Sequence, residues 1–283
     1  MTYRKARMHR LFAADGACLD VAVDHGFFNE PTFLPGIEKM HEVVGRLVEA
    51  DPDAIQLSPG QARLLQEIPG KDKPSLVFRT DIANVYGSPL PTRLFSEVVE
   101  GAVEEAVRLD AAAVVVNILL LPSQPDLYRQ TIKNVTFLAR QCEMVAMPLM
   151  VEPLVMKVGQ NERYAVDGDV SRIVTLVRQA RELGADVIKA DPTDPAEEYW
   201  KVVEAAGDCP VLPRGGGKVP PLEVFRRTHQ LLEQGARGIV YGRNIVQSEN
   251  PKAMTAALMA LVHQRISPEQ AFRVWQGEEP IRE

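Results

Sequence analysis

The sequence has few cysteines, few aromatic residues and no excess of basic charge. Its three cysteines, Cys18, Cys142 and Cys209, are far apart and form no CxxC motif, which argues against a structural zinc site and against a disulfide framework. There are 38 acidic and 32 basic residues, so the net charge is −6, whereas a general nucleic-acid-binding protein would carry a basic excess. We therefore expect no structural metal and no nucleic-acid partner.

Long hydrophobic runs are also absent. The longest apolar stretch, from Ala111 to Leu121, is broken by Asn117 and is too short to span a bilayer. The basic first segment is not followed by the apolar region of a secretory signal. These features predict a cytoplasmic protein with no membrane partner.

What the 283 residues do contain is short apolar runs that alternate with amphipathic segments. Continuous apolar runs are typical of parallel strands that are covered on both faces. The predicted strands are 18–23, 53–57, 75–79, 112–118, 148–151, 186–189, 210–212 and 238–241. The predicted helices are 37–50, 92–109, 124–143, 169–183, 195–206, 220–234 and 250–263, and a capping-box pattern at Ser267 begins a final short helix.

This alternation predicts an α/β fold, a single (β/α)8 TIM barrel. Such barrels commonly use about 200–250 residues as one domain. We therefore assign 1–283 to one domain, with a barrel core at about 18–263, a short N-terminal lead-in and a C-terminal helical tail. An open doubly wound sheet is the alternative, but the first strand ends in Asp24-His25-Gly26 instead of a GxGxxG turn.

Chemistry in a barrel lies at the carboxyl ends of the strands, and Lys189 ends the sixth predicted strand. It shares one side of that strand with Val187, opposite Ile188, so its side chain is expected to point into the barrel mouth. Desolvation there favours the neutral amine, which can attack a ketone and form a Schiff base. The alternative is a strand-end lysine that reaches solvent or pairs with Asp191.

Glycine-rich turns follow the seventh and eighth predicted strands, where barrels frequently bind phosphate. Three consecutive glycines and a lysine follow the seventh strand, and a Gly-Arg pair follows the eighth. Glycines let backbone N–H groups approach an anion, and a guanidinium can hold phosphate oxygens. The alternative is that the glycines only permit tight turns and the cations are surface charges. The predicted phosphate-binding residues are Gly215, Gly216, Gly217, Lys218, Gly242 and Arg243.

Polar side chains also end the other strands. Asp24 is expected to face inward with Ala22, where it can act as a general base or orient a substrate hydroxyl. Alternatively it accepts hydrogen bonds in the turn or pairs with Lys189. His25 is a candidate for substrate binding, with a structural role in the turn as the alternative. The remaining candidates for the rim of the site are Arg79, Asn84, Asn117, Glu152 and Arg214, for which a hydrogen-bonded loop residue is the alternative. Arg214 is also a candidate for binding the substrate or its phosphate group.

Four segments, VDHG, GADVIKADPTD, PVLPRGGGK and GARGIVYGRNIVQSENP, resemble the class I aldolases of the DeoC/FbaB/LacD group, over about residues 11–263. The branch that looks most similar contains the archaeal-type fructose-bisphosphate aldolases and a related thiolase. The resemblance implies that Lys189 is the Schiff-base lysine and Asp24 the carboxylate of strand one. It places Gly215, Gly216, Gly242 and Arg243 at phosphate-binding positions. It also implies a homo-oligomer that needs no metal or other cofactor, because the iminium replaces a Lewis acid.

Two positions depart from the pattern of that branch. Leu154 stands where the archaeal-type aldolases carry a tyrosine acid/base, so this role falls to Glu152, Asp24 or a water. Arg214 stands where a small residue is usual, which argues against fructose 1,6-bisphosphate itself as the substrate. We predict an aldehyde-lyase that acts on a phosphorylated ketose or related ketone. The alternatives are thiolase-like acyl transfer to coenzyme A and a non-catalytic barrel that binds a sugar phosphate.

Overall fold

Eight parallel strands form the barrel. The computed structural model describes residues 5–28, 30–87, 89–159 and 163–278. The barrel strands are β1 (Cys18–Ala22), β2 (Ala54–Leu57), β3 (Ser75–Arg79), β4 (Ala113–Leu120), β5 (Leu149–Val158), β6 (Val187–Ala190), β7 (Val211–Pro213) and β8 (Gly238–Tyr241). Each strand pairs with its neighbour in sequence, β8 pairs with β1, and a bridge from Arg214 to Val240 joins β7 to β8. The predicted (β/α)8 barrel is confirmed.

All eight predicted strands are present, and two of them, 75–79 and 238–241, have the predicted bounds. The main difference is β5, which was expected to end at Val151 and continues to Val158. Its last residues extend beyond the barrel and pair in antiparallel fashion with the short strand Tyr164–Val166.

Eleven α-helices lie in the described part of the chain, and none of them is long and apolar enough to cross a membrane. They are α1 (Met8–Leu11), α2 (Met40–Ala50), α3 (Pro59–Gln66), α4 (Ala102–Arg108), α5 (Pro125–Met144), α6 (Val170–Glu182), α7 (Trp200–Ala206), α8 (Pro221–Glu233), α9 (Arg243–Val246), α10 (Pro251–His263) and α11 (Pro268–Trp275). The predicted capping box is present at Ser267, whose hydroxyl accepts a hydrogen bond from Gln270 N.

The predicted helix 92–109 is wrong over its first part. Ser96–Val98 forms a strand that pairs in antiparallel fashion with Asp81–Ala83, and only α4 is helical. The side chain of Asn84 holds the connecting segment by donating to Arg93 O and accepting from Phe95 N. These long-range bonds override a sequence pattern that matches a helix.

Two other connections also differ from the predictions. Helix α3 follows β2 directly and is not among the predicted helices, because its proline start and its short length leave little periodic signal. The helix expected at 195–206 begins only at Trp200, after one 3-10 turn over Ala196–Glu198.

Inside the barrel, an apolar layer lies below a polar layer. The apolar layer consists of Ala22, Ala54, Val77, Val115, Met150, Val187, Leu212 and Val240, which are buried in one cluster. Residues two apart along a strand share a face. Two positions further along the chain stand Asp24, Gln56, Arg79, Asn117, Glu152, Lys189, Arg214 and Gly242. The alternation of side chains along each strand therefore places polar residues from seven parts of the chain together at the carboxyl end of the barrel.

The other faces of the strands are covered by helices. Outward residues of β1 such as Leu19 and Val21 belong to the large cluster between the strands and the surrounding helices. The N-terminal lead-in closes the opposite end, because Met8, Leu11 and Phe12 are buried in the same cluster as the apolar layer. The polar layer is thus enclosed from below and from the sides.

Candidate active site

Lys189 points into the barrel, as the alternation along β6 predicts. Its Nζ lies 3.1 Å from Glu152 Oε2 and donates a hydrogen bond to Gln56 Oε1 at 3.3 Å. Only 6% of the side chain is exposed, so a buried carboxylate compensates the ammonium group in place of water. The partner of Lys189 is therefore Glu152, whereas Asp191 contacts Arg214 Nε at 3.3 Å.

Arg79 is the centre of the polar layer. Its Nε donates to Asp24 Oδ2 at 2.6 Å, Nη1 to Asp81 Oδ1 at 3.1 Å and Nη2 to Glu152 Oε2 at 2.6 Å. All four side chains are almost completely buried. Removing one partner of a buried ion pair typically costs about 3–5 kcal/mol, so these groups are stable only as a set. The sequence placed Arg79 among the rim candidates, but the structure shows that it fixes two of the predicted catalytic carboxylates.

The two carboxylates beside the lysine are held in their ionised form. Burial alone would raise the pKa of Asp24, but the charges of Arg79 and Lys189 outweigh burial and lower this pKa. Burial of Glu152 is likewise outweighed by Lys189 and Arg79, and its pKa lies well below the ordinary range. Both groups can accept a proton, as a general base must.

Two other buried carboxyl groups have raised pKa values. Asp20 lies on β1, and burial raises its pKa to about 7. Neither of its carboxylate oxygens has a hydrogen-bond partner among the described residues. Burial also raises the pKa of Asp191 to about 6, although Arg214 counteracts it. Neither residue lines the cavity that contains Lys189.

The turns after β7 and β8 line the same cavity as Lys189. Gly215, Gly216, Gly242 and Arg243 all contribute to its wall. A Cβ on Gly242 would lie 2.3 Å from Ala22 O, so only glycine fits there. In the part of the chain that the structure describes, the N–H groups of Gly216 and Gly242 donate to no acceptor. Free N–H groups of this kind are suited to an anion.

Arg243 supplies an accessible positive charge at this wall. Its guanidinium lies 4.6 Å from the centre of the Phe33 ring. No carboxylate of the described residues lies within ion-pair distance of it. Arg214, by contrast, is already paired with Asp191 and lies 3.8 Å from Glu152. Arg243 is therefore the cation of this wall that is available to a ligand.

The remaining residues of the predicted phosphate site lie elsewhere. Lys218 is exposed and donates a hydrogen bond to Gln247 O at 2.6 Å, and Gly217 O accepts one from Asn244 Nδ2 at 3.2 Å. Neither residue lines the cavity. The geometry thus separates Gly217 and Lys218 from the other four predicted phosphate-binding residues.

His25 lies against Gly242 and lines the cavity. A Cβ on that glycine would approach the imidazole ring to 2.5 Å. Burial lowers the pKa of His25 to about 4, so the ring is neutral at pH 7, and its buried Nδ1 has no partner among the described residues.

Aromatic side chains form the roof of the cavity, whose volume is about 50 Å³. The Tyr86 ring packs edge to face on Phe28 and Phe33, with centroid distances of 5.5 and 5.0 Å. Arg214 lines the same cavity, and its charge partly offsets the effect of burial, which raises the pKa of the Tyr86 phenol. These aromatic residues are absent from the sequence-based candidates because they lie in short 3-10 turns and a loop. Such segments have no periodicity that would predict where a side chain points.

Gln56 and Asp81 are also missing from the sequence-based candidates. Gln56 donates to Asp24 Oδ2 at 2.7 Å, and Asp81 accepts from Arg79 and from Asn117. A signal for Gln56 was present, since it stands on the inward side of a short strand. Among the described residues, no three His, Cys, Asp or Glu side chains form a group that could hold a metal ion.

Known proteins resemble this chain over nearly its full length. The sequence model for the DeoC/LacD family of aldolases matches residues 18–248. A protein of Saccharolobus solfataricus described as an uncharacterized aldolase is 31% identical over 273 residues, which cover 95% of this chain and 97% of that protein. The 3-hydroxy-5-phosphonooxypentane-2,4-dione thiolase of Salmonella typhimurium is 32% identical over 259 residues, 91% of this chain and 81% of the relative.

Solved structures give the same result. An archaeal fructose-1,6-bisphosphate aldolase, with its catalytic lysine covalently bound to the carbinolamine intermediate of the substrate, is 25% identical and has a TM-score of 0.73. The alignment covers 90% of this chain and 98% of that structure. The family match spans all eight barrel strands and both glycine-rich turns. The chain belongs to the DeoC/LacD family of aldolases.

Proposed function

We propose that this protein is a class I aldolase, which cleaves or forms a C–C bond in a phosphorylated ketose or related ketone through an iminium on Lys189. The observation that carries the proposal is the buried contact of Lys189 Nζ with Glu152 Oε2 at 3.1 Å, next to an ionised Asp24. The archaeal aldolase with a lysine-bound carbinolamine supports the same role for a lysine of this fold.

The contact with Glu152 accounts for the first chemical steps. Glu152 takes a proton from the ammonium group, and the neutral amine attacks the carbonyl carbon of the ketone. The oxygen then takes this proton back from Glu152 and a second proton from the nitrogen, leaves as water, and the iminium forms. The protonated nitrogen attracts the electrons of the neighbouring C–C bond.

Asp24 or Glu152 provides the base for bond cleavage. One of these carboxylates takes the proton of the hydroxyl group on the far side of the scissile bond. That carbon becomes the aldehyde, and the bonding electrons move to the iminium to form an enamine. Arg79 keeps both carboxylates in place, since it donates to each of them at 2.6 Å.

The turns after β7 and β8 are proposed to hold the phosphate group. Arg243 contributes charge, and the free N–H groups of Gly216 and Gly242 contribute hydrogen-bond donors, with Gly215 and His25 shaping the same wall. Arg214 is proposed to contact the substrate nearer to the lysine. Fixing a substrate at two points lowers the entropic barrier to reaction, by up to about 7–11 kcal/mol in model systems.

Borohydride trapping tests the proposal. Incubation with dihydroxyacetone phosphate and sodium borohydride should add the reduced ketone to Lys189, as peptide mass spectrometry would show. Lys189→Met should lose the adduct and the aldolase activity. Lys201→Met is the matched control, because Lys201 pairs with Glu198 on the surface. An active Lys189→Met variant without an adduct would end the proposal.

Acyl transfer to coenzyme A is the second candidate, because the 32% identical relative from Salmonella typhimurium is a thiolase. It predicts an acyl-coenzyme A product from a phosphorylated diketone and no borohydride adduct. A screen of aldehyde acceptors with dihydroxyacetone phosphate, beside a coenzyme A assay with a phosphorylated diketone, distinguishes the two reactions.

A further inference from the structure

The proposed function requires an acid as well as a base. After the aldehyde leaves, the enamine carbon must gain a proton before the iminium can be hydrolysed from Lys189. Because this step belongs to the proposed function, the identity of its proton donor rests on that function. The candidates are the titratable side chains that line the cavity: Asp24, His25, Tyr86 and Glu152, in addition to the lysine and the arginines.

The two carboxylates carry no proton in the resting enzyme. Asp24 Oδ2 accepts hydrogen bonds from Gln56 and Arg79 at 2.7 and 2.6 Å. Glu152 Oε2 accepts from Arg79 at 2.6 Å and lies 3.1 Å from Lys189 Nζ. Charge-assisted bonds of this kind favour the ionised form.

His25 cannot serve as the acid either. Its pKa of about 4, which burial lowers, leaves a neutral ring at pH 7. A neutral imidazole N–H is a very weak acid. The ring is also confined between the β1 turn and Gly242, where it approaches the position of a Cβ to 2.5 Å.

The Tyr86 phenol carries a proton at neutral pH and lies near a positive charge that can stabilise the phenolate. Burial raises the pKa of the phenol, so the hydroxyl keeps its proton at neutral pH. Tyr86 and Arg214 line the same cavity as Lys189, and the positive charge of Arg214 favours a transient phenolate. Edge-to-face contacts with Phe28 and Phe33 hold the Tyr86 ring at the cavity wall.

We infer that Tyr86 is the catalytic acid that protonates the enamine carbon, with the charge of Arg214 stabilising the phenolate. In this step the phenolic O–H bond breaks and a C–H bond forms at the carbon that lost the aldehyde. The enamine electrons make the new C–H bond, and the lysine nitrogen becomes an iminium again. The proton that the carboxylate took from the substrate hydroxyl then returns to the phenolate through solvent, so protons balance over one turnover.

Isotope exchange isolates this step from the others. With dihydroxyacetone phosphate alone in D2O, the enzyme should form the iminium on Lys189. The reverse of the proposed step then moves a C–H proton to the Tyr86 phenolate, which has given its own proton to solvent, and return of a deuteron to the carbon completes the exchange. Tyr86→Phe should keep the borohydride adduct on Lys189, since the amine and Glu152 are unchanged. Its exchange rate should fall by about 100-fold, the lower end of what general acid–base groups typically contribute.

Tyr164→Phe is the matched control. Tyr164 packs against the same apolar cluster as Tyr86, but it donates to Pro122 O at 3.2 Å and does not line the cavity. Its exchange rate should equal that of the wild type. The same chemical change at two positions of one cluster thus separates proton transfer from packing.

The possible results have distinct meanings. An exchange rate in Tyr86→Phe within a few-fold of the wild type would overturn the role of Tyr86, even if the aldolase proposal holds. Loss of the adduct together with exchange in Tyr86→Phe would also overturn it, because the residue would then act on the lysine. A wild-type enzyme that forms no adduct with any ketone phosphate contradicts the proposed function instead.

Discussion

The two ends of the barrel bury charge in different ways. At the N-terminal end, a cavity of about 720 Å³ is lined by Lys5 and Asp186, which pair at 2.8 Å beside a largely exposed Glu143. At the C-terminal end the cavity is about 50 Å³, but the Arg79 guanidinium is fully enclosed with its carboxylates. Coulombic interactions are stronger where water is excluded. The smaller cavity therefore contains the more strongly interacting charges, because its ion pairs are removed from water.

Arg79→Met should have the largest effect. The substitution leaves Asp24, Asp81 and Glu152 without their shared buried partner, so we expect the free energy of unfolding to fall by about 3–5 kcal/mol. Urea unfolding measures this. Arg10→Met is the control from the N-terminal end, because the exposed pair with Asp110 should contribute at most about 1 kcal/mol. Equal losses in the two variants would refute the distinction between the two ends.

Gly242→Ala should destabilise the C-terminal end by steric conflict. The added Cβ would lie 2.3 Å from the backbone oxygen of Ala22, and overpacking typically costs about 1–3 kcal/mol. The temperature of thermal unfolding should fall, and the KM for a phosphorylated ketone should rise. Gly217→Ala is the control, since nothing lies within 4 Å of its Cβ position. If both variants behave like the wild type, the turn is less tightly packed than the structure indicates.

Arg243→Met should weaken binding of a phosphorylated substrate while leaving the fold intact. Hydrogen bonds to charged groups contribute about 1.5–3 kcal/mol, so KM should rise by about tenfold or more. Lys218→Met should change KM very little, because its ammonium group donates to Gln247 O outside the cavity. Steady-state kinetics with a phosphorylated and an unphosphorylated ketone measure both. A larger effect at Lys218 would restore the original sequence-based assignment.

His263→Gln provides the smallest test, at the N-terminal end. His263 bridges Asp15 and Asp53 at 2.8 and 2.9 Å. Burial opposes the charged ring, but these two carboxylates raise the His263 pKa above its ordinary value of 6.5. The stability that the charged ring adds is therefore complete below about pH 6.5 and is lost as the pH rises through the raised pKa. Urea unfolding of the wild type and of His263→Gln at several pH values should show that the difference between their free energies of unfolding becomes smaller as the pH rises. A difference that stays constant with pH would argue against the bridge.

Much of the barrel was predictable because each strand is marked by a pattern of apolar residues within a short stretch of sequence. Continuous apolar runs mark the eight strands, and alternation puts Lys189 and Asp24 inside. The hairpin of Asp81–Ala83 with Ser96–Val98 was not predictable, since side-chain bonds from Asn84 over nine and eleven positions hold it. The single domain, the homo-oligomer, the cytoplasmic location and the roles of the site residues stay predictions.

The order of residues along each strand sets which side chains face the barrel interior, because successive side chains of a strand point to opposite faces. The pairing of those side chains depends on how the strands and loops come together in space. The tertiary structure joined Arg79 to Asp24, Asp81 and Glu152, gave Lys189 a carboxylate partner, and brought Tyr86 to Arg214 over the cavity. These pairings connect strands and loops that are far apart in the chain. The protonation states of the paired groups depend on burial and on neighbouring charges, and no local sequence pattern encodes either.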